Sequence, residues 1–274
     1  MMGAPARIET DQFECLTYEV AEHVAILTIN RPDRRNALNR RAYAEVEAGF
    51  RAASADRDVR CLIVTGSDPA FCSGEDVKEM MTGAEKDKSI TRLTAVRPAP
   101  TPAAVAALEC EVPVIAAING PAVGWGMELT LFADIRIASE RAQMGEIFIK
   151  RGLVSDVGGL WRLPSLVGPA KASELLFTGD VIDAAEAHRI GLVSKVVPHG
   201  ELLAEARVLA SRIAANAPLA LRYMKEGLRR TAYGNLDEIG GWVSQTLGAL
   251  FQTADHREGV ASFLEKRAPR FTGN

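Results

Sequence analysis

The chain has 274 residues, of which 47% are hydrophobic, and its formal net charge is −3. This length and apolar content are enough to bury a large core within one large domain or one domain with an appendage. The weak negative charge gives no electrostatic case for nucleic-acid binding, and no apolar run reaches the roughly 18 residues of a membrane span.

Short apolar runs along the first half of the chain predict buried strands at residues 24–30, 59–66, 112–118 and 134–139. Asn39 has the side chain of an N-cap for the helical pattern that follows it, and the segment MELTLFA at 127–133 predicts another helix. Strands that alternate with helices are typical of an α/β fold with parallel pairing.

Two regions depart from this alternation. Residues 82–103 are polar and then punctuated by prolines, which predicts a mobile flap rather than part of the core. From about Gly200 the pattern is helical, with helices expected at 201–217, 218–232 and 236–253. We therefore divide the chain into a core at 1–200 and a helical region at 201–274, which packs on the core or on a neighbouring subunit.

The four cysteines show neither a CxxC pair nor zinc-ligand spacing. The first residues lack the apolar segment of a secretory signal. We expect a cytoplasmic protein with free thiols.

A glycine-rich turn with the sequence GPAVGWGME, residues 120–128, joins the third strand to a helix. A helix that begins in this way presents unpaired N–H groups and the positive end of its dipole. These groups can bind a phosphate or stabilise an oxyanion. The spacing is not the GxGxxG of a dinucleotide site, and no Lys-Ser/Thr pair follows as in a P-loop. The alternative is a tight turn with no chemical role.

Glu128 lies just inside that helix, among apolar neighbours such as Met127 and Leu129. A buried carboxylate needs a partner or a chemical task. A carboxylate near a helix start is also a favourable charge–dipole contact, so this segment leaves both interpretations open.

Two further turns carry polar groups. Segment 70–78, AFCSGEDVK, exposes backbone amides at a glycine turn, and its alternative is a surface connection. Segment 152–159, GLVSDVGG, places Asp156 before two glycines, where an Asp is most often a turn or N-cap residue. No histidine forms a readable triad with Ser155 and Asp156.

A series of segments resembles the enoyl-CoA hydratase/isomerase (crotonase) family, in this order: ILTINRPDRRNALN, AFCSGEDVKEM, VIAAINGPAVGWGMEL, FADIRIASERAQMG, GGLWRLP, LLFTGDVIDAAEAHRIGLVSKVV and HREGVASFLEKRAPRF. The resemblance runs from about residue 24 to the C-terminus. It implies a spiral of ββα turns with a helical C-terminal region, assembled as a homotrimer or a dimer of trimers. It also implies acyl-CoA thioester substrates and no metal or redox cofactor, since coenzyme A is part of the substrate.

The resemblance places an oxyanion hole at two backbone N–H groups, those of Glu75 and Trp125. Relatives often have Gly where this chain has Trp125. Because only the amide is needed, Trp is compatible provided that its ring points away or shapes the pocket. The other residues that the resemblance implies at the coenzyme A site are Ser73, Gly74, Val77, Lys78, Gly124, Phe263 and Lys266. The last two match residues that help to close the site, often from a neighbouring subunit.

The acids depart from the hydratase pattern. Hydratases that resemble this chain use two glutamates, and Glu128 matches the first of them. The second position holds Phe148, which cannot transfer a proton. Glu146 lies two residues earlier, and we set it aside because of that offset. Asp156 matches the acid of dienoyl-CoA and some other double-bond isomerases in the family, so the resemblance implies an acid/base pair of Glu128 and Asp156.

These observations favour an enoyl-CoA hydratase that acts through a thioester enolate. The alternative is an enoyl-CoA double-bond isomerase, favoured by Phe148 and Asp156. A third hypothesis is an acyl-CoA-binding or scaffold protein without catalysis, against which the presence of Glu128 argues.

Overall fold

The computed structural model describes residues 8–80, 100–232 and 234–274. Its strands are β1 Leu16–Ala21, β2 Val24–Ile29, β3 Cys61–Gly66, β4 Val114–Ile118, β5 Pro121–Val123, β6 Ile135–Ser139, β7 Gln143–Gly145, β8 Ile182–Asp183 and β9 Lys195–Val197. Its α-helices are α1 Arg40–Ala55, α2 Val77–Met80, α3 Pro102–Leu108, α4 Trp125–Phe132, α5 Leu163–Val167, α6 Pro169–Thr178, α7 Ala184–Arg189, α8 Leu202–Ala214, α9 Pro218–Thr231, α10 Leu236–Leu250 and α11 Ala254–Glu265.

The main sheet has the strand order β1-β2-β3-β4-β6-β9. Strand β1 is antiparallel to β2, and every later pair in this sheet is parallel. Strands β3 and β4 are buried at every residue, which explains why their sequences are continuous apolar runs rather than alternating ones. A smaller sheet has the order β5-β7-β8. The predicted α/β class is confirmed.

Both faces of the main sheet are covered by helices. On one face Leu62 and Val64 of β3 belong to the larger core, together with residues of α1, α3 and α4. On the other face Ile63 packs in a second cluster with α8. Helix α8 contributes alanines four residues apart, which lie on one side of a helix and allow close packing on a flat sheet: Ala206, Ala210 and Ala214.

Helix α9 is tied to the sheet by a buried lysine. Lys225 is 6% exposed, and its Nζ lies 2.8 Å from Asp134 Oδ2 and 2.8 Å from the carbonyl oxygen of Val112. Helix α9 in turn packs against α10. Helix α8 covers a face of the core sheet, so the helical region begins with a helix that is part of the core. The division of the chain at residue 200 stays a prediction.

The predicted strands coincide with β2, β3, β4 and β6 to within two residues at each end. The N-cap prediction is also confirmed, because Asn39 Oδ1 accepts a hydrogen bond of 2.9 Å from the Ala42 N–H. Most of the predicted flap lies outside the described residues. Its last part is wrong, since Thr101 caps α3 and Ala103 is buried. Within the described ranges, the helices are too short or too polar to cross a membrane.

Candidate active site

Two turns that are distant in sequence lie side by side. One is the segment 70–76 after β3, and the other is the segment 119–126 between β4 and α4. The N–H groups of Phe71 and Cys72 donate to the Pro121 carbonyl at 3.1 and 3.0 Å. The Val123 N–H donates to the Cys72 carbonyl at 3.1 Å. These bonds continue the parallel pairing beyond the strands and fix the two turns against each other.

Glycines allow this close approach. A Cβ on Gly126 would lie 2.0 Å from the Cys72 carbonyl oxygen, so no larger residue fits without moving backbone. Gly74 has a φ of +89°, in the region that favours glycine. A Cβ on Gly74 would lie 3.4 Å from the Trp125 nitrogen. The amide of Glu75, which follows Gly74, is therefore near the amide of Trp125, as the sequence argument requires of an oxyanion hole.

Trp125 is the first residue of α4, after Gly124 with a φ of +57°. Its N–H belongs to the first turn, where N–H groups lack an intrahelical partner. The indole ring is 3% exposed and packs edge-on against Tyr43, at a centroid distance of 4.8 Å, and against Phe132. The ring thus points into the core, one of the two orientations compatible with the use of the amide.

The first turn is held from below by a buried asparagine. Asn36 is fully buried, and its Nδ2 donates to the carbonyl oxygens of Ser67 at 2.7 Å and Ala70 at 2.6 Å. At the end of the turn, Arg31 Nη1 lies 3.1 Å from Asp76 Oδ2. Two residues of the motif ILTINRPDRRNALN, Arg31 and Asn36, therefore support the turn. The sequence alone did not predict this role for them.

A second set of hydrogen bonds joins Asp68, just before the first turn, to Asn119 of the second turn. His199 Nε2 lies 3.0 Å from Asp68 Oδ2, and its Nδ1 lies 3.1 Å from the Asn119 carbonyl oxygen. Asn119 Nδ2 donates to Asp68 Oδ1 at 3.1 Å, and this bond, followed by the contact with His199, lowers the pKa of Asp68. Ser139 completes the group, with its hydroxyl donating to the Asn119 carbonyl. Ser139 is fully buried, so no substrate can reach its hydroxyl. We therefore interpret this Ser–His–Asp group as structural: it holds the two segments together.

Glu128 is fully buried on α4, with its carboxylate against the segment that follows Asp156. Both of its oxygens lie 3.1 Å from the Gly159 nitrogen, which donates to them. A Cβ on Gly158 would lie 2.2 Å from Glu128 Oε2, so the paired glycines leave space for the acid. Burial raises the pKa of Glu128 to about 8; the Gly159 N–H acts to lower the pKa, and the nearby charge of Asp156 raises it.

The structure brings Asp156 near Glu128, as predicted for the pair, and it also brings Glu146 there. Asp156 Oδ1 accepts a bond of 2.8 Å from the N–H of Val157, which is a turn contact. Glu146 is 1% exposed, its carboxyl group lies against Gly159 beside that of Glu128, and its Oε2 accepts from the Ser155 hydroxyl at 3.1 Å. Burial, followed by the charge of Glu128, raises the pKa of Glu146 well above its usual value. Sequence reasoning missed this proximity when it set Glu146 aside.

The remaining predicted site residues lie on two surfaces. Ser73, Val77 and Lys78 are at and just after the first turn, where Val77 is 40% exposed. Phe148 lies half-buried in a 3₁₀ helix at Ile147–Arg151. At the other end of the chain, Phe263 and Lys266 are on and just after α11, and Phe263 is 82% exposed beside an apolar groove of about 550 Å³.

Facing glycine turns can stabilise an oxyanion, and buried carboxyl groups beside them can transfer protons. The family model for Enoyl-CoA hydratase/isomerase matches residues 19–274. The chain belongs to the enoyl-CoA hydratase/isomerase family.

Similar proteins cover almost the whole chain. The Mycobacterium bovis protein named Probable enoyl-CoA hydratase echA8 is 39% identical over 260 residues, which span 95% of this chain and 98% of that one. The Crotonyl-CoA hydratase of Syntrophomonas wolfei is 38% identical over 269 residues, with coverages of 94% and 98%. The crystal structure of the enoyl-CoA hydratase from Bacillus anthracis superposes with a TM-score of 0.85 at 32% identity, over 95% of this chain and 100% of that chain. The predicted crotonase-like fold is confirmed.

Proposed function

We propose that this protein is an enoyl-CoA hydratase that adds water to the conjugated double bond of an acyl-CoA thioester. The observation that carries the proposal is the approach of Gly74 to the start of α4, with 3.4 Å between a Cβ on Gly74 and the Trp125 nitrogen. Adding water to the double bond moves negative charge to the thioester oxygen. Two amides aimed at that oxygen lower the barrier by several kcal/mol.

In this mechanism Glu128 moves the protons. Its carboxylate takes a proton from water as the water oxygen bonds to the β-carbon of the substrate. The resulting enolate takes this proton back from Glu128 at its α-carbon, which restores the thioester carbonyl and the Glu128 carboxylate. A base works best when its pKa is close to the working pH, and the value of about 8 for Glu128 meets that condition. Asp156 is the second acid of the proposal.

The test is turnover of crotonyl-CoA, followed by the loss of the ultraviolet absorbance of its conjugated thioester. We expect wild type to hydrate it and Glu128→Gln to lose about 10²–10⁴-fold in rate. The matched control is Glu140→Gln, because Glu140 is exposed between β6 and β7. Wild type that binds crotonyl-CoA without turning it over would support the non-catalytic alternative.

Double-bond isomerisation is the second candidate, and Phe148 and Asp156 favour it. In this reaction a carboxylate moves a proton along the acyl chain, and no water enters. A β,γ-enoyl-CoA is the substrate that separates the two activities. If Phe148 keeps water away, Phe148→Glu should add hydration at the expense of isomerisation; if the site already hydrates, the same change should raise hydration alone.

We also propose an assembly of three or six chains, with Phe263 and Lys266 near a coenzyme A site and Ser73, Val77 and Lys78 contacting coenzyme A. The apolar surface of α10 and α11 supports the assembly. The chemistry above uses only amides and carboxyl groups, so we propose that no metal or redox cofactor takes part. The four cysteines are free and buried, which is compatible with a reducing, cytoplasmic location.

A further inference from the structure

The carboxyl groups of Glu146 and Glu128 form a buried pair. Glu146 follows β7, Glu128 lies on α4, and the side chains are 1% and 0% exposed. The Gly159 nitrogen lies 3.1 Å from both Glu128 oxygens, and a Cβ on Gly159 would lie 3.1 Å from Glu146 Cδ, so both carboxyl groups lie against this one residue. Two carboxylates this close in a dry site cannot both be ionised at ordinary cost, so one proton is kept between them.

Backbone donors decide which of the two bears the charge. Glu128 accepts the Gly159 N–H, and the amides of Gly158 and Asp156 also favour its anion. Glu146 has only the Ser155 hydroxyl on Oε2, and its buried Oε1 has no partner among the described residues. Amide donors stabilise a carboxylate, whereas a protonated carboxyl has an O–H to donate. The proton therefore belongs on Glu146 and the charge on Glu128.

The other charged groups around the pair do not reverse this order. Asp156 adds negative charge on the same side and opposes ionisation of both acids. Lys150 and Arg151, on the 3₁₀ helix that follows Glu146, are exposed to solvent. Arg162, on the π-helix Gly158–Arg162, directs its Nε to the Leu131 carbonyl at 3.3 Å.

We propose that Glu146 is a positioning residue that stays protonated and donates its hydrogen bond to the Glu128 carboxylate. Glu128 then acts as the base, and the pair keeps one proton on Glu146. Glu146 holds the Glu128 carboxylate in place while Glu128 gains and returns the proton of the reaction. The part of this inference that concerns turnover rests on the proposed function.

The test compares two variants across pH. Glu146→Gln keeps an N–H donor without a titrating group, and Glu146→Met has a similar volume without the donor. We expect the acid limb of the kcat profile to stay in place in the Gln variant. In the Met variant it should move up by about one pH unit, since one hydrogen bond to a carboxylate is lost. Equal profiles in the two variants would mean that Glu146 only fills space and would overturn the proposal.

A second measurement needs no substrate. In protein labelled with ¹³C at the glutamate carboxyl carbon, the signal that Glu146→Gln removes should have the shift of a protonated acid at pH 7. A carboxylate shift for that signal would overturn the proposal even if turnover is normal. If the signal is that of an acid and crotonyl-CoA is not hydrated, the proposed function fails and the carboxyl pair stands.

Discussion

At the scale of single residues, burial of Glu128 links folding to pH. Its pKa is about 8 in the native chain and about 4.5 in an ordinary environment, and burial is the largest cause of the difference. Between these values the native state binds more protons than the unfolded state, so the free energy of unfolding falls as pH rises. The stabilisation is complete below about pH 4.5 and is lost as pH passes about 8.

We therefore expect Glu128→Gln to unfold at higher urea than wild type at pH 8.5, with a gain of a few kcal/mol. Below about pH 4 the two proteins should differ little, because the wild-type carboxyl is then mostly neutral in both states. Urea titrations at the two pH values measure this, with Glu140→Gln as the exposed control. A difference between variant and wild type that does not change with pH would contradict the assignment of the buried acid.

Asp156 allows a second test at this scale. If it is one of the two acids, Asp156→Asn should reduce turnover by at least about 10²-fold while acyl-CoA affinity changes little. The amides of the two turns remain in place, which is why affinity is expected to survive. Unchanged turnover in steady-state kinetics would leave Asp156 as a turn residue that accepts the Val157 N–H.

At the scale of elements, the site depends on how closely two turns approach. A methyl group at Gly126 would lie 2.0 Å from the Cys72 carbonyl oxygen and 2.9 Å from Cys72 Cβ. We expect Gly126→Ala to separate the turns and to destabilise the fold by about 1–3 kcal/mol. Crotonyl-CoA turnover should fall with it, because misplaced amides no longer converge on one oxygen.

The control for this change is Gly240→Ala in α10. A Cβ at Gly240 has no atom within 4 Å, and alanine favours a helix over glycine by about 1 kcal/mol. Thermal unfolding should show a higher midpoint for Gly240→Ala and a lower one for Gly126→Ala. Equal midpoints for Gly126→Ala and wild type would mean that the turns accommodate a side chain.

Strands were predictable from the sequence where both of their faces are buried and therefore apolar. Strands β3 and β4 are buried at every residue, and their continuous apolar runs gave their positions. Strand β5 has three residues and begins with Pro121, so no period could indicate it. The proximity of Glu146 to Glu128 was not predictable either. It depends on β7 pairing beside β5, a tertiary relation that residue spacing does not contain.

At the scale of the whole molecule, the helical end exposes an apolar surface. Helices α10 and α11 and the turn between them carry large apolar side chains that are 46–82% exposed: Leu247, Phe251, Val260, Phe263 and Leu264. Contiguous surfaces of this kind in one chain are typical of interfaces. They agree with the proposed assembly, in which a neighbouring chain covers them.

Light scattering at micromolar concentration tests the assembly. The chain has a mass of 29.5 kDa, so three chains give about 89 kDa and six about 177 kDa. We expect one of these two masses for wild type and a smaller one for Phe263→Glu, which places a charge on the apolar surface. A stable 29.5 kDa species in the wild-type protein would count against the proposed assembly.

Cys72 lies in the first turn where it contacts the second, so the reactivity of its thiol can report how often the two turns separate. Its thiol is free and fully buried, its Sγ lies 3.4 Å from the Gly74 nitrogen, and burial raises the pKa of the thiol to about 12. A neutral, inaccessible thiol reacts with alkylating reagents only after the turns separate. Its labelling rate, followed by mass spectrometry of the Cys72 peptide, should therefore report how often the turns part. A bound acyl-CoA that bridges the amides of Glu75 and Trp125 should lower the labelling rate of Cys72. The labelling rate of Cys61, which is buried in strand β3, should not change.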